Sequence, residues 1–203
     1  MSTAVKHLLQ SVVLLIALLG CGKSDSQPKS GKPAAGTGDA PVPQISMIKM
    51  APRILIEAEN GKIQPPMKVF RDAKASQGGF VEAPEGPNHK EISIGGSVTH
   101  TFVVEEPGAY VLWIRKSWTS GCGNSLTVSV DGGKEITFGG DATYGKWDWK
   151  RVPDPAQPGQ PLLCTLTKGT HTIAIGNRED GSRYDQILLI QDSEYVPVSI
   201  EKE

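Results

Sequence analysis

Two glutamates, Glu57 and Glu59, flank a single alanine at the end of the apolar run in "ILIEAEN", residues 54–60. In a strand, residues i and i+2 lie on the same face about 6–7 Å apart, so these two carboxylates would be neighbours. Two like charges at that distance repel each other unless water or a cation lies between them. The pattern therefore leaves two interpretations open, a solvated strand edge or half of a metal site.

The overall composition argues against one class of partner. The 203 residues carry 21 Lys and Arg against 22 Asp and Glu. This balance gives no electrostatic reason to expect a nucleic acid as a partner. The 23 Gly and 15 Pro, together with only 6% aromatic residues, suit many short strands joined by turns.

The chain from residue 53 onward shows the two-residue period of strands. In "SVTHTFVV", residues 97–104, apolar side chains and His100 share one face, and a Pro-Gly turn follows shortly afterwards. In "SLTVSV", residues 125–130, the same alternation ends in Asp-Gly-Gly, which is a good hairpin signal. No stretch shows sustained helical periodicity. We therefore predict an all-β fold for residues 53–203, an antiparallel β-sandwich of the jelly-roll type.

The first 52 residues are predicted to lie outside this domain. Residues 1–20 contain an apolar run that is too short for a comfortable membrane span, and they are predicted to be a signal peptide. Its end, "ALLGC", resembles the lipobox of bacterial lipoproteins, which implies cleavage before Cys21 and acylation of the Cys21 sulfur. The alternative is an ordinary secretory signal followed by a cysteine. Residues 21–52 are rich in Ser, Gly, Pro and Lys and are predicted to form a flexible, disordered linker.

The lipobox resemblance also implies a location. We expect a protein of the bacterial cell envelope that is held at the membrane through its lipid anchor only. Lipoproteins with Asp after the lipidated cysteine are retained at the inner membrane, whereas Gly22 follows here. The expected site is therefore the outer membrane, with the domain facing the periplasm or the outside.

An ordered set of segments in the domain resembles a known family. After "IEAENG" come "ASQGGFVEAPEG", "FVVEEPGAYVLWIR", "NSLTVSVDGG", "WDWKRV" and "LTKGTHTIAIGNREDGSRYDQILL". In this order they are similar to the calcium-binding, jelly-roll carbohydrate-binding modules of families six and thirty-five. The similarity covers about residues 54–192. It implies a β-sandwich that binds a poly- or oligosaccharide and contains a structural calcium.

The same resemblance suggests which residues hold the calcium. In these modules the carboxylates of the opening "EAE" strand and an Asp near the start of the last strand bind the ion. The matching positions are Glu57, Glu59 and Asp185. Calcium takes six to eight oxygen ligands, which carboxylates and loop carbonyls can supply. The Gly-rich "SQGG" segment could bring such carbonyls close, because glycine tolerates unusual backbone angles.

A sugar site needs an exposed aromatic ring beside polar groups, because sugar rings present apolar faces and hydroxyl edges. Trp118 lies in the Gly- and Ser-rich "KSWTSGCGN", and Trp147 and Trp149 share a face of "YGKWDWK" if that segment is extended. One of the last two is expected to be core. Asn124 and Arg178 lie in loops that could flank such a platform, although Arg178 could equally pair with Asp180. These five residues are the candidate carbohydrate-binding positions: Trp118, Asn124, Trp147, Trp149 and Arg178.

Two cysteines, Cys122 and Cys164, remain after the lipidated one. An even remainder in an exported protein permits a disulfide between them. Cys164 alternates with Leu162 and Leu166 on one face, which suits a buried free thiol equally well. The sequence leaves both states open.

Three functions follow from these patterns. The leading hypothesis is a monomeric, surface-tethered and non-catalytic glycan-binding lipoprotein. A rival is a structural or protein-interaction module of the cell envelope that has the same fold without sugar binding, since fold does not fix function. An enzyme is the third hypothesis, but the sequence contains no Gly-x-Ser-x-Gly elbow, His-Glu-x-x-His or phosphate loop.

Overall fold

The structure is a computed structural model that describes residues 50–86 and 95–203. All of these residues belong to the unit Met47–Glu203. The signal peptide, Cys21 and almost all of the linker lie outside the described residues, so the assignments made for them stay predictions. Of the helices in the described ranges, none combines the length and the apolar character that crossing a membrane requires.

The described chain forms twelve strands and two short 3-10 turns. All strand pairings are antiparallel. The turns are Ala58–Asn60 and Ser76–Gly78. In chain order the strands are β1 (Arg53–Glu57), β2 (Lys62–Gln64), β3 (Lys68–Arg71), β4 (Gly79–Glu82), β5 (Ser97–Val104), β6 (Gly108–Ser117), β7 (Ser125–Val130), β8 (Ile136–Gly139), β9 (Asp148–Arg151), β10 (Leu163–Leu166), β11 (Gly169–Asn177) and β12 (Arg183–Ile190).

These strands form two sheets. The seven-stranded sheet runs in the order β10-β6-β12-β4-β3, with β1 also paired to β12 and β9 also paired to β6. The five-stranded sheet runs in the order β2-β5-β11-β7-β8. The predicted fold class, an antiparallel β-sandwich, is confirmed. The turn predicted at Pro107 and Gly108 is present, but it leads from β5 in one sheet to β6 in the other.

The main core lies between the two sheets, where one face of each strand contributes its side chains. Removing an aliphatic or aromatic side chain of this kind from water is worth about 1.5–3 kcal/mol. The alternation seen in the sequence accounts for these positions, because every second residue of a strand points to the same face. Fully buried members include Val98, Val104, Leu112, Ile114, Leu126, Val128, Ile173, Ile175, Ile187 and Leu189.

The outer face of the seven-stranded sheet is also covered. Val111, Trp113, Leu188 and Ile190 form a second buried cluster there. The C-terminal segment, residues 191–203, contributes Tyr195 to this cluster. The segment is tied down by hydrogen bonds from Trp149 Nε1 to the Ser199 carbonyl (2.6 Å) and from the Glu201 N–H to Gln186 Oε1 (3.1 Å). The middle strands β6 and β12 are therefore buried on both faces, which explains their nearly continuous apolar sequences.

His100 occupies an inward position of β5 and is only 2% exposed. Its Nε2 lies 3.1 Å from the Tyr184 hydroxyl, which is also buried. Burial lowers the pKa of His100 to about 4. The ring is therefore neutral near neutral pH and acts as a polar member of the core.

This buried imidazole is expected to make the fold sensitive to acid. Because the pKa of His100 is lower in the folded chain than in the unfolded one, the unfolded chain binds more protons between about pH 6.5 and 4. Stability is then lost as the pH falls through that window. From this residue alone we expect a loss of about 2 kcal/mol between pH 7 and pH 4.5.

Urea unfolding of the full chain at both pH values measures this effect. The His100→Gln variant keeps a polar group for Tyr184 but cannot titrate, so its stability should change less with pH than that of the unmodified chain. Equal pH dependence in the two proteins would contradict the assignment.

Candidate functional site

The two glutamates that open the domain do not lie on one strand face. Glu57 ends β1, and the 3-10 turn that contains Glu59 begins at the next residue. Glu57 Oε1 accepts hydrogen bonds from Ser76 Oγ (2.9 Å) and Gln186 Nε2 (2.8 Å). The second oxygen of each glutamate, Oε2, is buried and has no hydrogen-bond partner among the described residues.

Asp185 approaches this region because β12 is irregular at that point. The register between β12 and β6 shifts between Tyr184 and Gln186, which leaves Asp185 without a partner residue on β6. Such bulges redirect side chains. The Asp185 carboxylate is 0% exposed, accepts hydrogen bonds from the Ser76 N–H (3.0 and 3.1 Å) and forms an ion pair with Arg115. Burial raises the pKa of Asp185 to about 6, although Ser76 and Arg115 both act to lower it.

The three carboxylates therefore have different environments. Asp185 already has a cationic partner in Arg115, and the described part of the chain contains no group of three or more His, Cys, Asp or Glu side chains placed to hold a metal ion. The structure does not bring Glu57, Glu59 and Asp185 together as one set of three metal ligands. Glu57 and Glu59 each have a buried oxygen that lacks a donor.

The partnerless oxygens of Glu57 and Glu59 fit a hard cation. Buried polar atoms almost always have a partner, and calcium is bound by oxygen ligands. The backbone also makes room for Glu59, because a Cβ at Gly79 would lie 2.8 Å from Glu59 Oε1. Gly79 follows Gln77 and Gly78, which have φ of 50° and 73°. The "SQGG" segment thus turns sharply beside Glu59, as its glycines suggest.

A second feature is an open cleft of about 560 Å³ at the end of β6. It lies between the loop that follows β3 and the segment that precedes β9. The residues that line it are mostly polar or charged, with Trp147 as its partly exposed aromatic ring. The lining consists of Asp72, Lys74, Arg115, Ser117, Trp118, Thr119, Gly145, Lys146, Trp147 and Arg183.

Three neighbours fix the orientation of Trp147. Its Nε1 donates a hydrogen bond to Asp72 Oδ2 (2.8 Å), and Phe80 meets the indole edge-on at a centroid distance of 5.4 Å. The Arg115 guanidinium lies over the ring, 5.3 Å from its centroid. The backbone N–H of Lys74 and the indole of Trp147 hold the pKa of Asp72 below its usual range. The ring is therefore preorganised, and it is the partly exposed aromatic side chain of the cleft.

Arg115 connects the cleft to the buried carboxylates. Its Nη1 bonds Asp185, and its Nη2 donates to the Lys74 carbonyl at 3.2 Å. One guanidinium thus holds the carboxylate, the cleft loop and the indole in place. Arginine suits this position because its planar group can stack and donate several hydrogen bonds at once.

The sequence prediction for Trp118 is wrong. Trp118 is 0% exposed and belongs to the main core, where it packs beside Phe138 with a centroid distance of 5.8 Å. Its Nε1 donates to Asp141 Oδ2 (3.0 Å), and Lys116 Nζ lies 5.0 Å from the ring centroid. Although Trp118 borders the cleft, none of its surface is exposed there, so its ring cannot serve as a stacking platform.

The remaining predicted sugar-binding residues lie outside the cleft lining. Trp149 packs against the outer apolar cluster and bonds the Ser199 carbonyl. Asn124 bonds the Asp141 carbonyl (3.3 Å) and, through its N–H, Glu179 Oε2 (3.2 Å). Arg178 pairs with Glu179 at 2.7 Å rather than with Asp180. Of the five predicted positions, the structure places Trp147 as the exposed ring in the cleft.

The two cysteines are free thiols in the structure, Cys122 exposed and Cys164 buried. Burial raises the pKa of Cys164 to about 12, so this thiol is protonated and unreactive at neutral pH. The disulfide is not present, and Cys164 has the buried state that its alternation with leucines suggested.

No pattern in the sequence marks Lys74, Lys146 or Asp72 as residues of the cleft. Lys74 and Lys146 are exposed loop residues, which carry no periodic signal. Trp147 is more than seventy positions away from Asp72 and Lys74 in the chain, and the pairing of β9 with β6 and of β4 with β12 brings them together. The one sequence signal for the cleft was Trp147 itself, directly before the short strand β9.

Comparison with known protein sequences identifies a relative for part of the chain. No family model matches the chain. A curated relative, "Uncharacterized protein P23" from Formosa agariphila, is 28% identical over 109 residues, which is 50% of this chain and 26% of that protein. The chain thus spans about a quarter of the length of the curated relative that it matches.

Solved structures give the class of fold. A family 35 carbohydrate-binding module from Clostridium thermocellum matches with a TM-score of 0.50 and 16% identity over 68% of this chain and 98% of that one. The GH26-CBM35 beta-(1,4)-mannanase of Podospora anserina matches with a TM-score of 0.53 and 16% identity, over 71% of this chain and 29% of that one. At this identity the likeness shows the fold alone. The domain is a β-sandwich of the kind found in carbohydrate-binding modules.

Proposed function

We propose that this protein is a glycan-binding module without catalytic activity, and that the cleft around Trp147 is its sugar site. The observation that carries the proposal is a partly exposed indole, fixed by Asp72, Phe80 and Arg115, in a cleft whose other lining is polar. Fixing the ring before a ligand arrives reduces the entropy that binding would otherwise cost.

The chemistry of the cleft suits a saccharide. The apolar face of a sugar ring can stack on the exposed part of the Trp147 indole, while Ser117, Thr119 and the charged side chains can hydrogen-bond its hydroxyls. Among the described residues, Asp72 is the one carboxylate of the lining, and it already accepts from Trp147 and Lys74. Glycoside hydrolysis uses two carboxyl groups on either side of the scissile bond. The lining therefore supports binding rather than hydrolysis.

The proposal includes a structural calcium at Glu57 and Glu59. Both have a buried oxygen without a donor, and both belong to the segment that leads from β1 towards β2. Ser76, held by the Asp185 carboxylate, bonds Glu57 and so connects this pair to the last strand. An ion bound by the glutamates would offset their mutual repulsion and fix the β1 end of the domain relative to β12.

The setting of the module is proposed from the sequence alone. We propose a lipoprotein acylated at Cys21 that holds the domain at the outer membrane of the cell envelope by way of the linker at 21–52, as a monomer. A cell-envelope interaction module on the same fold is the second candidate, because a fold does not fix a function. In that case Trp147 would pack against a protein rather than a sugar.

Removing the indole tests the sugar site. We expect Trp147→Ala to weaken glycan binding by the full chain at least tenfold, about 1.4 kcal/mol, because the stacking surface is lost. Glycan-array screening of the unmodified chain finds the ligand, and isothermal titration calorimetry with that ligand measures the loss. The matched control is Trp149→Phe, which changes a tryptophan of the outer apolar cluster and should bind as the unmodified chain does.

Two results would count against the sugar site. If the unmodified chain binds no glycan on a broad array with calcium present, the interaction module becomes the better proposal. If it binds a glycan and Trp147→Ala binds it equally well, the sugar lies elsewhere on the domain.

A further inference from the structure

The basic residues of the Trp147 cleft outnumber the acidic ones. Its lining contains Lys74, Arg115, Lys146 and Arg183 against Asp72. The whole chain, by contrast, has a formal net charge of −1. The cleft lining therefore has an excess of basic over acidic side chains that the chain as a whole does not have.

The two arginines are already paired inside the protein. Arg115 bonds the buried Asp185, and Arg183 Nε lies 2.5 Å from Glu82 Oε2. Arg183 also lies over the Phe80 ring, 5.4 Å from its centroid. Both guanidinium groups therefore hold protein groups in place, and their positive charges are offset by neighbouring carboxylates.

The two lysines are in a different situation. Lys74 and Lys146 are exposed, and neither makes an ion pair within the part of the chain that the structure describes. Asp72, the one acid of the cleft lining, is engaged by the Lys74 N–H (2.9 Å) and by Trp147 Nε1. Both ammonium groups can thus donate to a ligand that lies on the indole.

We propose that the cleft binds an acidic saccharide, with a sugar ring on Trp147 and a carboxylate or sulfate group on Lys74 and Lys146. This inference rests on the proposed function and narrows its ligand class. Hydrogen bonds from an ammonium to an anion are about twice as strong as those between neutral groups. The hydroxyls of a neutral sugar can accept hydrogen bonds from the two ammonium groups but leave their charge uncompensated, whereas an anionic group accepts the same bonds and offsets the charge.

The test compares acidic and neutral ligands on the full chain. Four oligosaccharide probes of matched length are used. Oligogalacturonate carries carboxylates and oligo-carrageenan carries sulfates, whereas the galactan and mannan oligosaccharides are neutral. We expect one acidic class to bind at least tenfold more tightly than the neutral probes in low salt, and added salt to reduce this preference. The carboxylate and sulfate probes show which anionic group the cleft takes.

Charge-removing variants locate the interaction. The double variant Lys74→Gln, Lys146→Gln should lose about tenfold or more of its affinity for the acidic probe and keep its affinity for neutral ones. The matched control is Lys134→Gln, an exposed lysine in the loop between β7 and β8 of the other sheet. It should bind as the unmodified chain does.

The outcomes separate the two proposals. Neutral probes that bind as tightly as acidic ones, or an unchanged affinity in the double variant, overturn the acidic ligand and leave the sugar site intact. An equal loss in Lys134→Gln shows general charge attraction and also overturns it. If none of the four probes binds, the acidic ligand is overturned, and the glycan array together with Trp147→Ala decides the proposed sugar site separately.

Discussion

Replacing Trp118 by alanine is expected to destabilise the folded chain by about 3–5 kcal/mol, the usual cost of removing a large aromatic side chain from a core. The side chain is 0% exposed, packs beside Phe138 in the main core, and has the Lys116 ammonium over its ring. Its loss also removes the hydrogen bond to Asp141. Urea unfolding of the full chain measures the change.

Two further variants serve as comparisons for the stability of Trp118→Ala. Trp118→Phe keeps most of the apolar contact but loses the Nε1 donor, and should cost about 1–2 kcal/mol. Partial burial raises the pKa of Asp141, but hydrogen bonds from Lys150, Trp118 and Lys116 hold this pKa well below its usual range. In Trp118→Phe the Asp141 carboxylate therefore stays charged and keeps its bonds to Lys150 and Lys116. Trp147→Ala, in the open cleft, should be less destabilising than Trp118→Ala. A Trp118→Ala protein that stays fully stable but loses glycan binding would show that the ring is a platform after all.

The alternation of apolar and polar residues was enough to predict the sandwich. In β5 the residues Val98, His100, Phe102 and Val104 are all buried, as the two-residue period requires. The same period could not show which sheet each strand joins. The predicted turn at Pro107 and Gly108 did not indicate whether β5 and β6 pair, and β5 in fact pairs with β11 and β2. Sheet assignment depends on distant pairings that local sequence does not record.

The candidate site was harder to predict because loop residues have no period. Trp118 has Gly and Ser neighbours, which usually indicate exposure, but it directly follows β6 and continues into the core. Asp185 is redirected by the irregular register of β12 and meets Arg115, a contact between residues seventy positions apart. What the sequence did identify were residues whose chemistry is unusual in any context: a close pair of glutamates and a tryptophan-rich segment.

Calcium is expected to stabilise the folded chain through Glu57 and Glu59. A ligand that binds only the folded state adds about 2.7 kcal/mol at one hundred times its dissociation constant. A chelator should therefore lower the melting temperature of the full chain, and elemental analysis before chelation should find calcium. Glu57→Gln and Glu59→Gln should each remove most of the chelator effect, because each supplies one of the buried oxygens that lack a donor. Glu135→Gln, an exposed acid in the loop between β7 and β8, is the matched control.

The stability of the variants in chelator should distinguish residues that bind calcium from residues that only lie nearby. In chelator, Glu57→Gln should be at least as stable as the unmodified chain, since removing one charge relieves the repulsion between the two glutamates. Asp185→Asn should behave in the opposite way, because it leaves Arg115 buried without its counter-charge. Breaking such a pair costs about 3–5 kcal/mol, with or without calcium. If Asp185→Asn instead abolished the chelator effect and the glutamate variants did not, Asp185 would be the calcium ligand. An unmodified chain that contains no calcium and does not respond to chelator would exclude the ion from this site.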